Sequence, residues 1–270
     1  MERPAWAPRS IDISVPSVSR IYDFYLGGSH NFEVDRQAAR RAMEFMPGLP
    51  KVMQANRAFM RRAVRFAAAE GIDQFLDVGS GIPTFGNVHE VARRARPGSR
   101  VVYVDHDPVA VAHSQAVLAD DADADVVAAD LLKPRDILAS PQVERLIDLN
   151  RPVALLLIAI LHFVDDTEDP YRAVAELSRA LAPGSVLVLT HAAYEGIPLP
   201  PERAGGAVDV YKDIRNPLIM RTRDEIARFF EGYDMVEPGL VPMARWRPEG
   251  APEDEDPYAF SGFAGVGRAA

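Results

Sequence analysis

Short, almost wholly apolar runs alternate with longer amphipathic stretches through the middle of this chain. Apolar runs of about four to eight residues between turn residues are typical of buried strands. The strands predicted in this way are Gln74–Val78, Arg100–Asp105, Asp125–Ala129, Val153–Ile160 and Val186–Thr190. The helices predicted around them are Val52–Ala69, Val88–Arg96, one that begins after Pro108, and Pro170–Leu181. Strands that alternate with helices predict an α/β fold with a parallel sheet and right-handed crossovers.

The N-terminal part departs from this alternation. Residues 1–18 contain three prolines, which favours an extended arm, and Ser19–Met46 is aromatic and then helical, with a Leu-Gly-Gly-Ser break. Pro47–Pro50 is predicted to be a linker. We therefore expect residues 1–50 to form an arm and a helical cap over a ligand site, and residues 51–270 to form one structural unit.

The C-terminal part also breaks the rhythm. Ile197–Gly206 is rich in proline and glycine and is predicted to be a loop, and Arg223–Glu231 is predicted to be a helix. Two β-like segments follow, Met235–Trp246 and Tyr258–Val266. They are expected to complete the sheet.

Composition narrows the possible functions. The 270-residue chain has a net charge of −9 and no cysteine, so a nucleic-acid partner, a disulfide framework and a cysteine nucleophile are not expected. The longest apolar run, Val153–Leu161, has nine residues and is too short to span a bilayer. The first residues do not resemble a signal sequence, so we expect a cytoplasmic protein. The six histidines show no metal-ligand spacing, and no metal is expected.

A glycine-rich turn after the first strand is the clearest indication of a ligand site in the sequence. The segment Asp77-Val78-Gly79-Ser80-Gly81 ends a buried strand, and the next two strands end near Asp105 and Asp130. Glycines let a backbone approach a ligand closely, and a carboxylate at the end of the next strand can accept both ribose hydroxyls. Together they predict an adenosine-containing cofactor. The D-x-G-x-G form favours S-adenosyl-L-methionine over NAD, as does Thr84 in place of a third glycine.

These residues resemble the cofactor motifs of class I S-adenosylmethionine-dependent methyltransferases. The segments Ser19–Gly28, Asn31-Phe32, Asp35-Arg36, Asn56-Arg57, Leu161-His162-Phe163 and Gly265–Arg268 further resemble the actinobacterial S-adenosyl methyltransferase family, once known only as a domain of unknown function. The resemblance covers nearly the whole chain. It implies a Rossmann-like, seven-stranded, mostly parallel sheet whose last strand is antiparallel, with S-adenosyl-L-methionine as cofactor and S-adenosyl-L-homocysteine as product.

The resemblance also implies roles for single residues. Asp77 and the turn Gly79-Ser80-Gly81 are expected at the amino-acid end of the cofactor, and Asp105 at its ribose. The other expected cofactor-binding residues are Arg57 at the cofactor carboxylate, His106 beside the adenine, Asp130 and Leu131 at the adenine edge, and Ala159 at the carboxyl end of the fourth strand.

Two residues are candidates for catalysis. Tyr22 belongs to the expected cap, and His162 follows the fourth strand, where ligands bind in open parallel sheets. Histidine is the one side chain of Ile158–Phe163 able to act as a base near neutral pH. Many amino-methylating relatives carry Asn or Asp, Pro, Pro and an aromatic residue at this place. This chain does not, which argues against methylation of DNA, RNA or amides.

The interpretation is a methyltransferase that acts on an unidentified small-molecule acceptor by direct displacement. Such a transfer chiefly needs alignment and exclusion of water, so its catalytic residues leave a weak pattern. The alternative is a sensor or accessory protein that binds S-adenosylmethionine or S-adenosylhomocysteine without turnover. A third reading, an NAD-dependent oxidoreductase, is disfavoured by Thr84. The sequence leaves the oligomeric state open.

Overall fold

The computed structural model of the protein describes residues 12–83, 86–214, 217–249 and 256–270. Most of the predicted N-terminal arm, and Thr84, lie outside the described residues. The α-helices are α1 (Val18–Tyr25), α2 (Glu33–Phe45), α3 (Leu49–Ala69), α4 (Val88–Ala95), α5 (Pro108–Val117), α6 (Pro134–Leu138), α7 (Pro141–Leu146), α8 (Pro170–Arg179), α9 (Pro201–Val210) and α10 (Arg223–Ala227). The strands are β1 (Gln74–Val78), β2 (Arg100–Asp105), β3 (Ala124–Ala128), β4 (Ala154–Leu157), β5 (Val186–His191), β6 (Tyr233–Met235), β7 (Val241–Pro242) and β8 (Phe263–Ala269).

The strands form a single sheet in the order β3-β2-β1-β4-β5-β8-β6, with the two-residue β7 paired to β8. Neighbours among β1 to β5 are parallel, whereas β8 runs antiparallel to both β5 and β6. The predicted sheet of seven mostly parallel strands with an antiparallel last strand is therefore confirmed. The carboxyl ends of β1, β2, β4 and β5 meet at one edge, where ligands bind in folds of this kind.

Successive side chains of the central strands point to opposite faces of the sheet and pack in two separate hydrophobic cores. Leu76 and Val78 of β1 pack on one face of the sheet with α8, and Phe75 packs on the other face with α3 and α4. Because both faces are covered by helices, the strands are apolar at almost every position. This explains why their sequences run as continuous apolar segments, and why an acid such as Asp77 within β1 stands out.

A third core lies beneath the cap, which consists of α1, α2 and α9. Ile21 and Tyr25 of α1 pack there with three alanines of α2 and with Ala207 and Val210 of α9. The prediction of a loop over Ile197–Gly206 is thus wrong from Pro201 onwards. A Cβ at Gly206 would lie 2.4 Å from Cδ1 of Phe45, so this glycine is needed where α9 crosses α2.

Other boundaries differ for local reasons. The predicted linker at 47–50 is partly helical, because α3 begins at Leu49 with a proline in its first turn. The predicted strand Val153–Ile160 ends at Leu157, before Ala159 adopts a left-handed φ of 55°. The β-like segment Met235–Trp246 contains the last residue of β6, the two-residue β7 and then a 3₁₀ turn. Within the described residues, no helix has the length and apolarity that crossing a membrane requires.

Candidate functional site

The turn after β1 is held against β2 by its own backbone. The N–H groups of Gly79 and Ser80 both donate to the carbonyl oxygen of Val104, at 2.8 and 3.1 Å. Gly79 has a φ of 77°, and a Cβ there would lie 2.5 Å from Cγ1 of Ile160. Conformation and space both require glycine at this position.

Asp105 joins this turn to the loop after β2. It is buried at the end of β2, where Oδ2 accepts from the N–H of Gly81 at 2.7 Å and Oδ1 accepts from the N–H of Asp107 at 2.8 Å. Burial raises the pKa of Asp105, and these two hydrogen bonds oppose the rise. Each carboxylate oxygen can accept a second hydrogen bond, so Asp105 keeps capacity for ligand hydroxyls.

Asp77 and Arg57 lie near the amino end of this turn. Burial raises the pKa of Asp77 to about 7, while the nearby Arg57 guanidinium opposes the rise and Asp105 adds to it. Arg57, on α3, donates from Nη2 to the carbonyl oxygen of Gly86 at 3.2 Å. Oγ of Ser80 is buried and has no hydrogen-bond partner within the described part of the chain. The turn and the neighbouring α3 thus place a carboxyl group, a guanidinium group and a hydroxyl group close together.

These groups surround a space that we call the turn cavity, of about 740 Å³ with the part that is open to solvent. The residues predicted from the sequence that line it are Tyr22, Arg57, Asp77, Gly79, Ser80, Gly81, Asp105, His106 and Ala159. The side chain of His106 is exposed. One space therefore collects residues from α1, α3 and the ends of β1, β2 and β4.

Asp130 and Leu131 lie farther along the same edge of the sheet. They follow β3, and Oδ1 of Asp130 accepts from the N–H of Leu132 at 2.9 Å. Leu131 is buried in the core. Neither residue lines the turn cavity, although the N–H of the preceding Ala129 donates to the carbonyl oxygen of Asp105 at 3.1 Å.

A second space, the apolar cavity, lies between the sheet and the cap and has about 850 Å³ with the part that is open to solvent. It shares five wall residues with the turn cavity: Val18, Tyr22, Asn56, Ala159 and Phe163. Most of its wall is aliphatic, aromatic or methionine, contributed by α1, α3, α9 and the segments after β4 and β5. The two spaces are therefore adjacent.

Tyr22 lies at this shared wall. Its hydroxyl accepts from Nδ2 of Asn56 at 2.8 Å and donates to the carbonyl oxygen of Met53 at 3.4 Å. Burial raises the pKa of Tyr22, although Arg57 opposes the rise, so the phenol is neutral at neutral pH. Oδ1 of Asn56 is buried without a hydrogen-bond partner in the described ranges. The sequence analysis noted Asn56 only as part of a motif.

His162 lines the apolar cavity and not the turn cavity. The backbone N–H of Ala192 donates to its Nδ1 at 3.2 Å. Burial lowers the pKa of His162 well below its usual value, and the neighbouring His191 and Arg221 act in the same direction. A neutral imidazole with Nδ1 as acceptor carries its proton on Nε2. His162 is therefore a hydrogen-bond donor in this arrangement.

Arg221 is an important residue that the sequence analysis missed. Its side chain is buried, and Nη1 donates to the carbonyl oxygen of Leu161 at 2.9 Å and to Nε2 of His191 at 2.8 Å. Nη2 donates to the carbonyl oxygen of Val164 at 2.9 Å and to Oδ1 of Asp166 at 2.6 Å. Through these hydrogen bonds, Arg221 holds the segment after β4, which contains His162, in a fixed position. No local pattern around Arg221 marks it, because its partners are distant in sequence.

The charged residues of the N-terminal segments that resemble the family mainly stabilise the cap. Oδ2 of Asp35 accepts from Nε of Arg20 and from the N–H of Phe32, both at 2.8 Å, and Asp35 is fully buried. Asp23 accepts from Nδ2 of Asn31 at 2.7 Å. These contacts hold α1, which lines both cavities, against α2.

Comparison with known proteins identifies the family. The sequence profile described as "S-adenosyl methyltransferase" matches residues 4–270. The chain belongs to this family. It is 39% identical to a DUF574 family protein from Streptomyces avermitilis, with a TM-score of 0.90 and coverage of 96% of this chain and 99% of that one. A second solved structure, from Thermobifida fusca, is 40% identical, with a TM-score of 0.90 and coverage of 98% and 99%.

More distant structures share the fold. One is the 1,6-didemethyltoxoflavin-N1-methyltransferase of Burkholderia thailandensis, which is 16% identical, with a TM-score of 0.50 and coverage of 87% of this chain and 89% of that one. Among curated proteins, none matches the sequence. The predicted family and the class I methyltransferase fold are confirmed.

S-adenosyl-L-methionine is the cofactor of this S-adenosyl methyltransferase family member. The turn cavity suits it in three respects. The turn at Gly79 has no room for a side chain, the Ser80 hydroxyl is buried without a partner within the described residues, and the Asp105 carboxylate can accept further hydrogen bonds.

Proposed function

We propose that this methyltransferase acts on a small molecule bound in the apolar cavity, with S-adenosyl-L-methionine bound in the turn cavity. The observation that carries the proposal is the wall that the two cavities share at Tyr22, Asn56 and Ala159. The apolar cavity combines mostly apolar walls with a few polar groups, as small-molecule sites do.

The proposed cofactor contacts follow the geometry of the turn. Asp105 is proposed to accept the ribose hydroxyls, and Arg57, Asp77 and Ser80 to hold the amino-acid end. Support comes from the common cavity that these side chains line. Asp130 and Leu131 stay predictions for the adenine, which would extend beyond the turn cavity towards β3.

The bound cofactor supplies a methyl group on a positively charged sulfur. The protein's own contribution is to orient the acceptor and to exclude water. Tyr22 is proposed to position the acceptor at the shared wall through its neutral hydroxyl, and His162 through its Nε2–H. A neutral, proton-bearing Nε2 is a poor proton acceptor, so the geometry favours acceptor positioning by His162 over general-base catalysis.

Two measurements test the proposal. Titration calorimetry should show binding of S-adenosyl-L-methionine and S-adenosyl-L-homocysteine but not of NADH. A screen of uncharged aromatic alcohols and amines should then yield S-adenosyl-L-homocysteine together with a product heavier by one methylene unit. Cofactor binding without turnover of any small molecule, combined with methylation of a macromolecule, would contradict the proposed acceptor class.

A further inference from the structure

The described wall of the apolar cavity carries no Asp, Glu, Lys or Arg side chain. Its titratable residues are Tyr22, Tyr25, Tyr211, His162 and His191. Burial raises the pKa of Tyr22 and Tyr25, and raises that of Tyr211 to about 12. Burial also lowers the pKa of His162, and lowers that of His191 to about 3. All five side chains are therefore uncharged at neutral pH.

An uncharged wall selects against charged ligands. A carboxylate, phosphate or ammonium group that entered this space would lose its hydration without gaining an opposite charge from the wall. The aliphatic, methionine and aromatic side chains of Met46, Leu49, Met53, Phe163 and Met220 offer instead a surface for an apolar molecule.

Several polar atoms of the wall make no hydrogen bond to a described residue, among them Oδ1 of Asn56, Oγ of Ser261 and Nε2 of His162. His162 is only 8% exposed and lines the cavity, and its Nδ1 is occupied by the N–H of Ala192. Nε2, which carries the proton, makes no hydrogen bond to any described residue. Nε2–H thus lies at the cavity wall as a donor that a ligand oxygen would satisfy.

We infer that the apolar cavity takes an uncharged, largely apolar acceptor that presents a carbonyl or similar oxygen to Nε2–H of His162. This inference rests on the proposed function, because it names the class of molecule that the same site binds. It also assigns a role to His162 that differs from proton abstraction: the residue binds and orients the acceptor.

Three matched probes test the inference without any methyl transfer. They are methyl naphthyl ketone, naphthoate and isopropylnaphthalene, all substituted at the same ring position and titrated into the full-length protein with and without S-adenosyl-L-homocysteine. The ketone should bind at least roughly tenfold more tightly than the anion, and roughly five- to tenfold more tightly than the hydrocarbon, which lacks the acceptor oxygen. Equal or tighter binding of naphthoate, or no binding of the ketone, would overturn the inference.

Variants locate the effect. His162→Leu should remove the advantage of the ketone over the hydrocarbon and leave the hydrocarbon affinity nearly unchanged. Val208→Trp places a large side chain on α9, at a half-buried position of the cavity wall, and should weaken all binding. A ketone preference that survives in His162→Leu would exclude His162 as the donor.

A third measurement does not depend on the folding of a variant. Long-range proton–nitrogen NMR correlation of the wild-type protein should show His162 neutral and protonated on Nε2 at pH 7. Protonation on Nδ1 would overturn the donor assignment. If the ketone binds in the expected pattern but no small molecule is ever methylated, the proposed function fails while the ligand class of the cavity stands. If instead a charged small molecule is methylated in this cavity, the proposed function stands and the inferred ligand class is wrong.

Discussion

Replacing Arg221 by methionine should destabilise the protein strongly, because this side chain connects the segments after β4 and β5. The guanidinium is 2% exposed and donates to the carbonyl oxygens of Leu161 and Val164 and to Nε2 of His191. It also pairs with Asp166, whose side chain is 65% exposed. Methionine fills much of the same volume but donates no hydrogen bond.

The magnitude follows from the partners that lose their donor. Two carbonyl oxygens and one imidazole nitrogen would be left without it, and each buried unsatisfied group costs about 1–3 kcal/mol. Water can solvate Asp166 because it is exposed, so its loss adds little. Partial relaxation around the methionine offsets some of the cost. We therefore expect the free energy of unfolding to fall by about 3 to 5 kcal/mol, similar to the breaking of a buried ion pair.

Urea denaturation followed by circular dichroism measures this change. The matched control is Arg172→Met on α8, since Arg172 is 54% exposed and pairs with Glu176 one helical turn away. The control should lose less than about 1 kcal/mol. A loss below about 1 kcal/mol in Arg221→Met, with an unchanged denaturant dependence, would show that the hydrogen bonds of Arg221 do not hold this region together.

Three further predictions concern the turn cavity. Asp105→Ala should weaken S-adenosyl-L-homocysteine binding by at least about tenfold in calorimetry, because the ribose acceptor is lost. Gly79→Ala should lower the thermal midpoint more than Gly98→Ala does, since both glycines have positive φ but only Gly79 has a close neighbour, Ile160. Burial raises the pKa of Asp77 to about 7, above its unfolded value of about 3.9. The protonated carboxyl group therefore favours the folded state. This contribution to the free energy of unfolding is lost as the pH rises through 7. Asp77→Asn should therefore gain stability relative to wild type between about pH 4 and pH 7, by up to about 4 kcal/mol in urea denaturation; a constant difference would contradict the raised pKa.

The central strands could be predicted because their physical signal is local. Each is buried on both faces, so Val101–Val104 is a continuous apolar run and Phe75–Val78 is interrupted only by Asp77. The two runs end at an acid and at a glycine turn. Those terminal residues also line the turn cavity. The position of most predicted cofactor residues at one edge of the sheet thus follows from the same pattern that predicts the strands.

Helix α9 could not be predicted because tertiary packing overrides its local preferences. Its sequence contains Gly205 and Gly206, and glycine disfavours helices. Gly206, however, lies against the ring of Phe45, where a larger residue would clash. The sequence shows the low helix propensity and gives no sign of the partner that compensates for it.

The two cavities are formed by different kinds of segments, and for this reason only the turn cavity could be predicted from the sequence. The turn cavity depends on short motifs in which a strand end, a glycine turn and a carboxylate follow one another. The apolar cavity is assembled from α1, α3, α9 and the segments after β4 and β5, and its wall residues have the composition of an ordinary core. A methionine or alanine facing this cavity is chemically the same as one facing another helix. Its polar groups acquire their roles only through distant partners, as His162 does through Ala192 and Arg221. Under the proposed function, acceptor specificity of this protein depends on three-dimensional packing, whereas the cofactor motifs are largely a property of local sequence.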